Sequence, residues 1–305
     1  MMGSGGVGGF FGGRLAHAGY DVSFIARGAH LAAMRERGLV IENEAQGDIR
    51  VPKVRVTDDP ATLGPVDLVV LSVKLWDTEA AAAQIKPIVG PNTGVLSLQN
   101  GVIKDDILRR EFGEAAVMGG VCYVATHVSQ PGVIHQTGSM QRAILGEYDG
   151  RKSERAAFLH EALVRAGVNA ELSGDVHKAI WEKYVFLVGL SATTTAMRMP
   201  IGPIRNDPRT RAFLLDVMRE AVAVGRAQGV ALPEDYADSR LAYADGLPAD
   251  MTSSMHHDLE RGNRLELEWL SGGVVQLGRA AGVPTPANSA VCDILALHVP
   301  GRKPA

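Results

Sequence analysis

Residues 3–27 read GSGGVGGFFGGRLAHAGYDVSFIAR, and the fold turns on how this stretch is taken. Gly3-Ser4-Gly5-Gly6-Val7-Gly8 satisfies G-x-G-x-x-G. In that pattern the first glycine permits a tight turn, the second lets backbone approach a pyrophosphate, and the third lets the following helix pack closely. Glycine-rich termini are also common flexible segments, so the pattern alone is weak. Its surroundings strengthen it. Gly6 to Ala18 reads as a helix, and Asp21–Ala26 (DVSFIA) reads as a strand that ends about 20 residues on, where the fingerprint meets a ribose. The residue at that strand end is Arg27. An acidic side chain there suits the 2′-hydroxyl of NAD, whereas a guanidinium matches the 2′-phosphate of NADP in geometry and charge. The rival is an ordinary surface arginine closing a strand.

One element the pattern requires is missing. A strand should precede the turn, yet only Met1 and Met2 stand before Gly3. That strand is normally central, and without it both neighbours would expose unpaired apolar edges. Either the chain starts further upstream or something else fills the slot; a start one strand's length upstream is the expectation.

Outward from the turn, strands and helices alternate. Asp67–Val73 (DLVVLSV) and Gly94–Leu98 (GVLSL) are near-continuous apolar runs, as for strands buried on both faces of a parallel sheet. Ala80–Val89 reads as a helix between them. Val117–Thr126, Val133–Gln136 and Ala143–Leu145 are further strands, Ser153–Ala166 is helical, and Asn169–Leu172 is a last strand. This alternation predicts a doubly wound α/β sheet, its first strand truncated, over residues 1–172. Beyond it the texture is helical: Val176–Ala196, Pro208–Gln228, Glu234–Ala244, Ser253–Leu259 and Leu265–Ala281. Asp207-Pro208 is a suitable cap and first-turn proline for the second of these. Residues 173–305 are therefore expected to form an all-α domain with a disordered tail, Pro300–Ala305.

Composition narrows the function. The 305 residues are 46% hydrophobic and 21% charged, with a net charge of −3 from 31 basic and 34 acidic side chains. There is no basic excess to hold a nucleic acid or an anionic membrane. No apolar run approaches the ~20 residues a membrane span needs, and no signal peptide is apparent. Cys122 and Cys292 make neither a disulfide framework nor a zinc site, and reduced thiols in a cytoplasmic protein are expected. His256 and His257 are adjacent and cannot share a site on a helix, and His127 and His135 lack ligand spacing, so no catalytic metal is expected.

Several segments together resemble one family. Gly3–Arg27, Ser72-Val73-Lys74, Gln99-Asn100-Gly101, Trp181-Glu182-Lys183, Ser253-Ser254-Met255 and Glu266 occur in the order and spacing of the ketopantoate reductases (2-dehydropantoate 2-reductases). The resemblance spans nearly the whole chain, and its Lys183, Ser254 and Glu266 set is the specific part. It implies NADPH-dependent reduction of a 2-oxo acid, ordinarily 2-dehydropantoate to pantoate in pantothenate biosynthesis. A homodimer is a further family expectation.

Such a reduction needs an acid to protonate the oxygen as hydride reaches carbon, a contribution of ~10²–10⁴-fold. A cationic lysine also stabilises the growing oxyanion. Lys183 lies in an otherwise apolar helix, where a lysine needs a partner or a task; the resemblance makes it the general acid, against a snorkelling surface lysine. It makes Glu266 the carboxylate that orients lysine or substrate, against a solvated face shared with Glu260, Arg264 and Glu268. Ser254 corresponds to the serine that meets the substrate carboxylate, against a helix cap. Asn100 corresponds to the asparagine beside nicotinamide and substrate, against a plain Asn-Gly turn. Lys74 corresponds to the cofactor-side lysine, and Gly3, Ser4, Gly5, Gly6, Val7, Gly8 and Arg27 to the rest of the cofactor site.

The chain also departs from the family. Lys183, Leu187 and Ser191 share one helix face. The family shows asparagine one turn after its lysine; here it is Leu187. Ser191, one turn further, stands for a second asparagine. Leucine cannot pair with a substrate hydroxyl, so a different, more apolar 2-oxo acid is an open alternative. So are a 3-hydroxyacid or 6-phosphogluconate-type dehydrogenase and a non-catalytic NADP-binding protein.

Overall fold

The computed structural model describes residues 1–302. The chain forms two compact units: Met1–Asn100 with Lys104–Ala179, and Gly101–Ile103 with the chain from Ile180 onward. The first unit runs α1 (Gly6–His17), β1 (Ser23–Ile25), α2 (Gly28–Arg37), β2 (Leu39–Glu42), β3 (Ile49–Val51), β4 (Arg55–Thr57), β5 (Leu68–Leu71), α3 (Thr78–Ile85), β6 (Gly94–Ser97), α4 (Lys104–Phe112), β7 (Val117–Gln130), β8 (Val133–Gly146), α5 (Glu154–Arg165) and β9 (Asn169–Leu172).

The slot before the turn is filled. Met2 bridges Ile25 on one side and Leu71 on the other, both in parallel. Met2 N donates to Val70 O, Ile25 N to Met1 O and Ser72 N to Met2 O, at 2.8 to 2.9 Å. Two residues thus supply the central rung, and the β1 and β5 edges expected to be unpaired are bridged there. Around Met2 the order is β4-β1-Met2-β5-β6-β7, all parallel, after which β8 runs antiparallel to β7. Neighbouring residues of one strand serve opposite faces. Val70, Leu96 and Met118 join Phe10, Phe11, Leu159 and Leu163 of α1 and α5. Val69, Val95 and Val117 join Ala82, Ile85 and Leu108 of α3 and α4. Helices on both faces make the sheet doubly wound.

Val133–Gln136 and Ala143–Leu145, read as two strands, are the ends of β8. Its middle, Thr137 to Met140, is exposed and carries no apolar signal.

The second unit is helical: α6 (Val176–Met197, whose first residues lie in the first unit), α7 (Ile201–Asn206), α8 (Pro208–Ala227), α9 (Tyr236–Asp245), α10 (Ser254–Arg261), α11 (Ser271–Ala281) and α12 (Pro286–Leu295). Among the described residues no strand follows β9. Asp207 caps α8 by accepting from Arg209 N and Thr210 N, with Pro208 in the first turn. One core joins Trp181, Tyr184 and Val188 of α6 to Leu214, Val217 and Met218 of α8 and to Val274 and Val291. The helix expected over Leu265–Ala281 begins only at Ser271. Leu265 N donates instead to Val299 O, and Leu270 lies at φ −93°, ψ −101°, outside helical values. Of the tail expected to be disordered, Gly301 N bonds to His298 O and Arg302 N to Gly262 O; residues 303–305 lie outside the described residues. No described helix is long and apolar enough to cross a membrane.

Candidate active site

The first unit gathers its candidates at the carboxyl ends of neighbouring parallel strands, the edge where open α/β sheets bind ligands. Gly3–Gly8 follow Met2, Arg27 follows β1, Lys74 follows β5 and Asn100 follows β6. The turn is built as its glycines require. Gly3 lies at φ +89°, which other residues rarely adopt. A Cβ at Gly8 would overlap the Gly3 carbonyl oxygen and the Ser72 hydroxyl. Gly5 differs, because nothing lies within 4 Å of where its Cβ would stand. The outer two glycines serve the chain's own packing, while the middle one leaves an open cradle beside the N-terminus of α1, where backbone N–H groups and the helix dipole favour a phosphate. These residues fit a dinucleotide.

Side chains hold the turn in place. Ser72 Oγ donates to Gly3 O at 2.8 Å and Ser4 Oγ to Ile25 O at 3.0 Å. Arg27 is exposed, with Nη2 donating to Gln84 Oε1 at 3.1 Å. Lys74 is half-buried, its ammonium 5.6 Å from the centre of the Trp76 ring. Asn100 is half-buried and precedes Gly101 at φ +85°, so the Asn-Gly bend is real. Its position is fixed from behind. Gln99, buried, donates from Nε2 to Val73 O at 3.0 Å and Thr78 Oγ1 at 2.8 Å. Gln99 ties the Asn100 loop to the Lys74 loop. Nothing in the sequence beside Gln99 marks this role, which only the pairing of β5 with β6 reveals.

The second unit arranges its candidates along α6. Lys183 and Leu187 are half-buried; Ser191, on the same face, is fully buried and its hydroxyl has no partner among the described residues. The Tyr184 hydroxyl donates to Leu270 O at 2.7 Å, tying to α6 the turn that begins at Glu266. Glu266 is therefore in a non-helical turn and not on a helix, as its spacing had suggested. It is 7% exposed, whereas Glu260, Arg264 and Glu268 are exposed, which separates it from the solvated face. At the other end of α6, Thr194 Oγ1 and Ser253 Oγ lie 3.0 Å apart. Ser253 caps α10 by accepting from His256 N, which leaves Ser254 exposed in the first turn with the capping role already taken. Two consecutive serines before a helix do not reveal from sequence which one caps.

Among the described residues no group of three His, Cys, Asp or Glu side chains could hold a metal. Cys122 is buried with Sγ 3.5 Å from Leu98 O.

Residues 1–150 match the family model for ketopantoate reductase PanE/ApbA, and residues 175–298 match its C-terminal counterpart. The 2-dehydropantoate 2-reductase of Mesorhizobium japonicum is 33% identical over 316 residues, covering 97% of this chain and 95% of that protein. An oxidoreductase of Bacillus subtilis, YkpB, is 29% identical over 300 residues, covering 98% and 97%. The crystal structure of a PanE/ApbA family ketopantoate reductase from Ralstonia eutropha superposes with a TM-score of 0.88 at 36% identity, covering 97% of this chain and 96% of that one. The chain belongs to the ketopantoate reductase family, oxidoreductases that use a nicotinamide dinucleotide to reduce a 2-oxo acid to a 2-hydroxy acid.

Proposed function

We propose that this chain reduces 2-dehydropantoate, or a related and more apolar 2-oxo acid, with NADPH, and that Lys183 supplies the proton. The observation that carries the reading is the buried hydroxyl of Ser191, which has no partner among the described residues on the α6 face that bears Lys183. A buried polar group without a partner asks for an explanation, and a bound oxo acid is one. Reduced nicotinamide supplies hydride to the carbonyl carbon when bound. Lys183 holds the carbonyl oxygen through its ammonium and passes a proton to it as charge develops there. Glu266, buried in the turn tied down by Tyr184, orients the lysine or the substrate. Ser254 receives the substrate carboxylate, and Asn100 aligns the substrate beside the ring. Gly3–Gly8 cradle the pyrophosphate, with Lys74 on the cofactor side and Arg27 on the 2′-phosphate. Leu187, where the family has asparagine, argues for an apolar patch beside the substrate and keeps the alternative oxo acid open.

The test is NADPH oxidation across a panel of 2-oxo acids that includes 2-dehydropantoate. Turnover of one of them should fall by ~10²–10⁴-fold in Lys183→Ala, the usual worth of a positioned acid, with dinucleotide affinity retained. Oxidation of 3-hydroxyacids with NADP instead would favour the related dehydrogenases, and dinucleotide binding without any turnover would favour a non-catalytic protein. Arg27→Ala should weaken NADPH by about 1.5–3 kcal/mol and spare NADH; equal loss would reject its 2′-phosphate role.

A further inference from the structure

His30 lies in the first turn of α2, three residues after Arg27, and is half-buried. Both of its ring nitrogens are engaged. Gly132 N–H, in the turn between β7 and β8, donates to Nδ1 at 3.0 Å. Nε2 lies 2.8 Å from the Ser4 carbonyl oxygen. A nitrogen that accepts carries no proton, so the neutral ring holds its proton on Nε2 and donates it to Ser4. Burial lowers the His30 pKa, outweighing the opposing effect of the Ser4 bond, and so favours this neutral form.

Ser4 stands between the first two glycines of the phosphate turn. A trans peptide is planar, so the carbonyl of Ser4 and the N–H of Gly5 point in opposite directions within one rigid unit. The preceding plane, from the Gly3 carbonyl to the Ser4 N–H, is held in the same way by the Ser72 hydroxyl at 2.8 Å. Two consecutive peptide planes are thus gripped at their carbonyls by side-chain donors, which turns their N–H groups away from those donors. The second of these N–H groups belongs to Gly5, the last residue before α1, where the cradle is open.

We propose that His30 is a positioning residue for the dinucleotide, aiming the Gly5 N–H at the pyrophosphate by holding the Ser4 carbonyl. The start of α2 then serves the cofactor twice, through Arg27 at the 2′-phosphate and through His30 at the phosphate turn. This rests on reading Gly3–Gly8 as a dinucleotide turn.

The experiment measures dissociation constants of NADPH, NADH and adenosine 2′-monophosphate, by nicotinamide fluorescence and calorimetry, for the wild type, His30→Ala and His30→Asn. Asparagine keeps an acceptor near the Nδ1 position for Gly132 but has no donor that reaches Ser4. Both variants should bind NADPH and NADH about 3- to 10-fold more weakly, the range one net hydrogen bond spans. Adenosine 2′-monophosphate, which lacks a pyrophosphate, should bind as before. Should His30→Ala fail to fold, His30→Asn carries the test alone. Wild-type dinucleotide affinity in His30→Asn would overturn the proposal by assigning His30 to the hairpin only. So would an equal loss for adenosine 2′-monophosphate, which would mean general loosening of α2. A wild type that binds neither dinucleotide would overturn the turn reading itself, and this proposal with it.

Discussion

The Tyr184 hydroxyl donates to the Leu270 carbonyl at 2.7 Å and lies 3.2 Å from the Trp269 carbonyl. Tyr184 is the neighbour of Lys183 in sequence, and Leu270 closes the turn that starts at Glu266, whose carbonyl accepts from Leu270 N. One hydroxyl therefore sets where the proposed acid's helix meets the proposed carboxylate's turn. Burial raises the Tyr184 pKa well beyond the working range, so the hydroxyl remains a donor throughout. Tyr184→Phe keeps the ring's T-shaped contact with Trp181 and removes only the hydrogen bond. The variant should lose about 1–2 kcal/mol of stability and lower kcat several-fold without changing dinucleotide affinity. An unchanged kcat alongside the lost stability would mean that the turn keeps its place without this bond.

Leu187 makes substrate choice testable in the opposite direction, by gain. Leu187→Asn introduces an amide one turn after Lys183, on the face where Ser191 carries a hydroxyl with no partner among the described residues. A site that pairs a substrate hydroxyl discriminates against analogues that lack it, whereas an apolar site separates the two weakly. The ratio of kcat/KM for 2-dehydropantoate to that for an unhydroxylated 2-oxo acid of similar size should rise about tenfold or more. A ratio that stays where it was would remove Leu187 from the specificity determinants.

Much of this was legible because the signals are local. The G-x-G-x-x-G turn, the apolar runs that became β5 and β6, and the Asp207-Pro208 start of α8 each declare themselves within a few residues. What stayed hidden depends on partners distant in sequence. Met2 carries no strand pattern, since two residues have no periodicity; its role comes from Ile25 and Leu71 on either side. Leu265 to Leu270 has helical composition, but Val299 and Tyr184 take its hydrogen bonds. Nothing local in the sequence marks His30, because its two partners lie 26 positions before it and 102 after it. Ser253 and Ser254 were separable only once the cap was visible.

Two histidines, His30 half-buried and His177 exposed, contribute to the acid response of stability. Burial lowers the pKa of His30, and partial desolvation together with the nearby Arg109 lowers that of His177, against weaker opposing effects of Asp175, Asp106 and Asp105. Between each lowered value and the ordinary 6.5 the unfolded chain binds more protons than the folded one, so stability rises with pH across that window. Above 6.5 the contribution is complete. Urea midpoints should fall as pH drops below about 6.5 and show no contribution from these groups between pH 7 and 8. His177→Gln should flatten part of the fall. Midpoints that climb on acidification through this window would contradict the assignment.

Lys104 and Asp105 are each 1% exposed and form an ion pair of 2.9 Å at the start of α4. The Lys104 ammonium also donates to Ser97 O at 3.0 Å and Gly120 O at 3.2 Å, so each of its three protons has an acceptor. Asp105 also accepts from the hydroxyl of Tyr148, and the Arg109 guanidinium stacks 3.8 Å from the centre of the Tyr148 ring. The pair thus fastens the end of β6, from which the Asn100 loop departs, to β7. Removing one partner strands a buried charge, so Lys104→Met should cost about 3–5 kcal/mol in chemical denaturation. Adding Asp105→Leu removes the stranded carboxylate and should recover part of that loss, because replacing both partners with apolar groups is often close to neutral. The recovery should be incomplete here, since the Tyr148 hydroxyl and two backbone carbonyls would lose their partner. A double variant no more stable than Lys104→Met would show that these further hydrogen bonds, and not the ion pair, are what the site contributes.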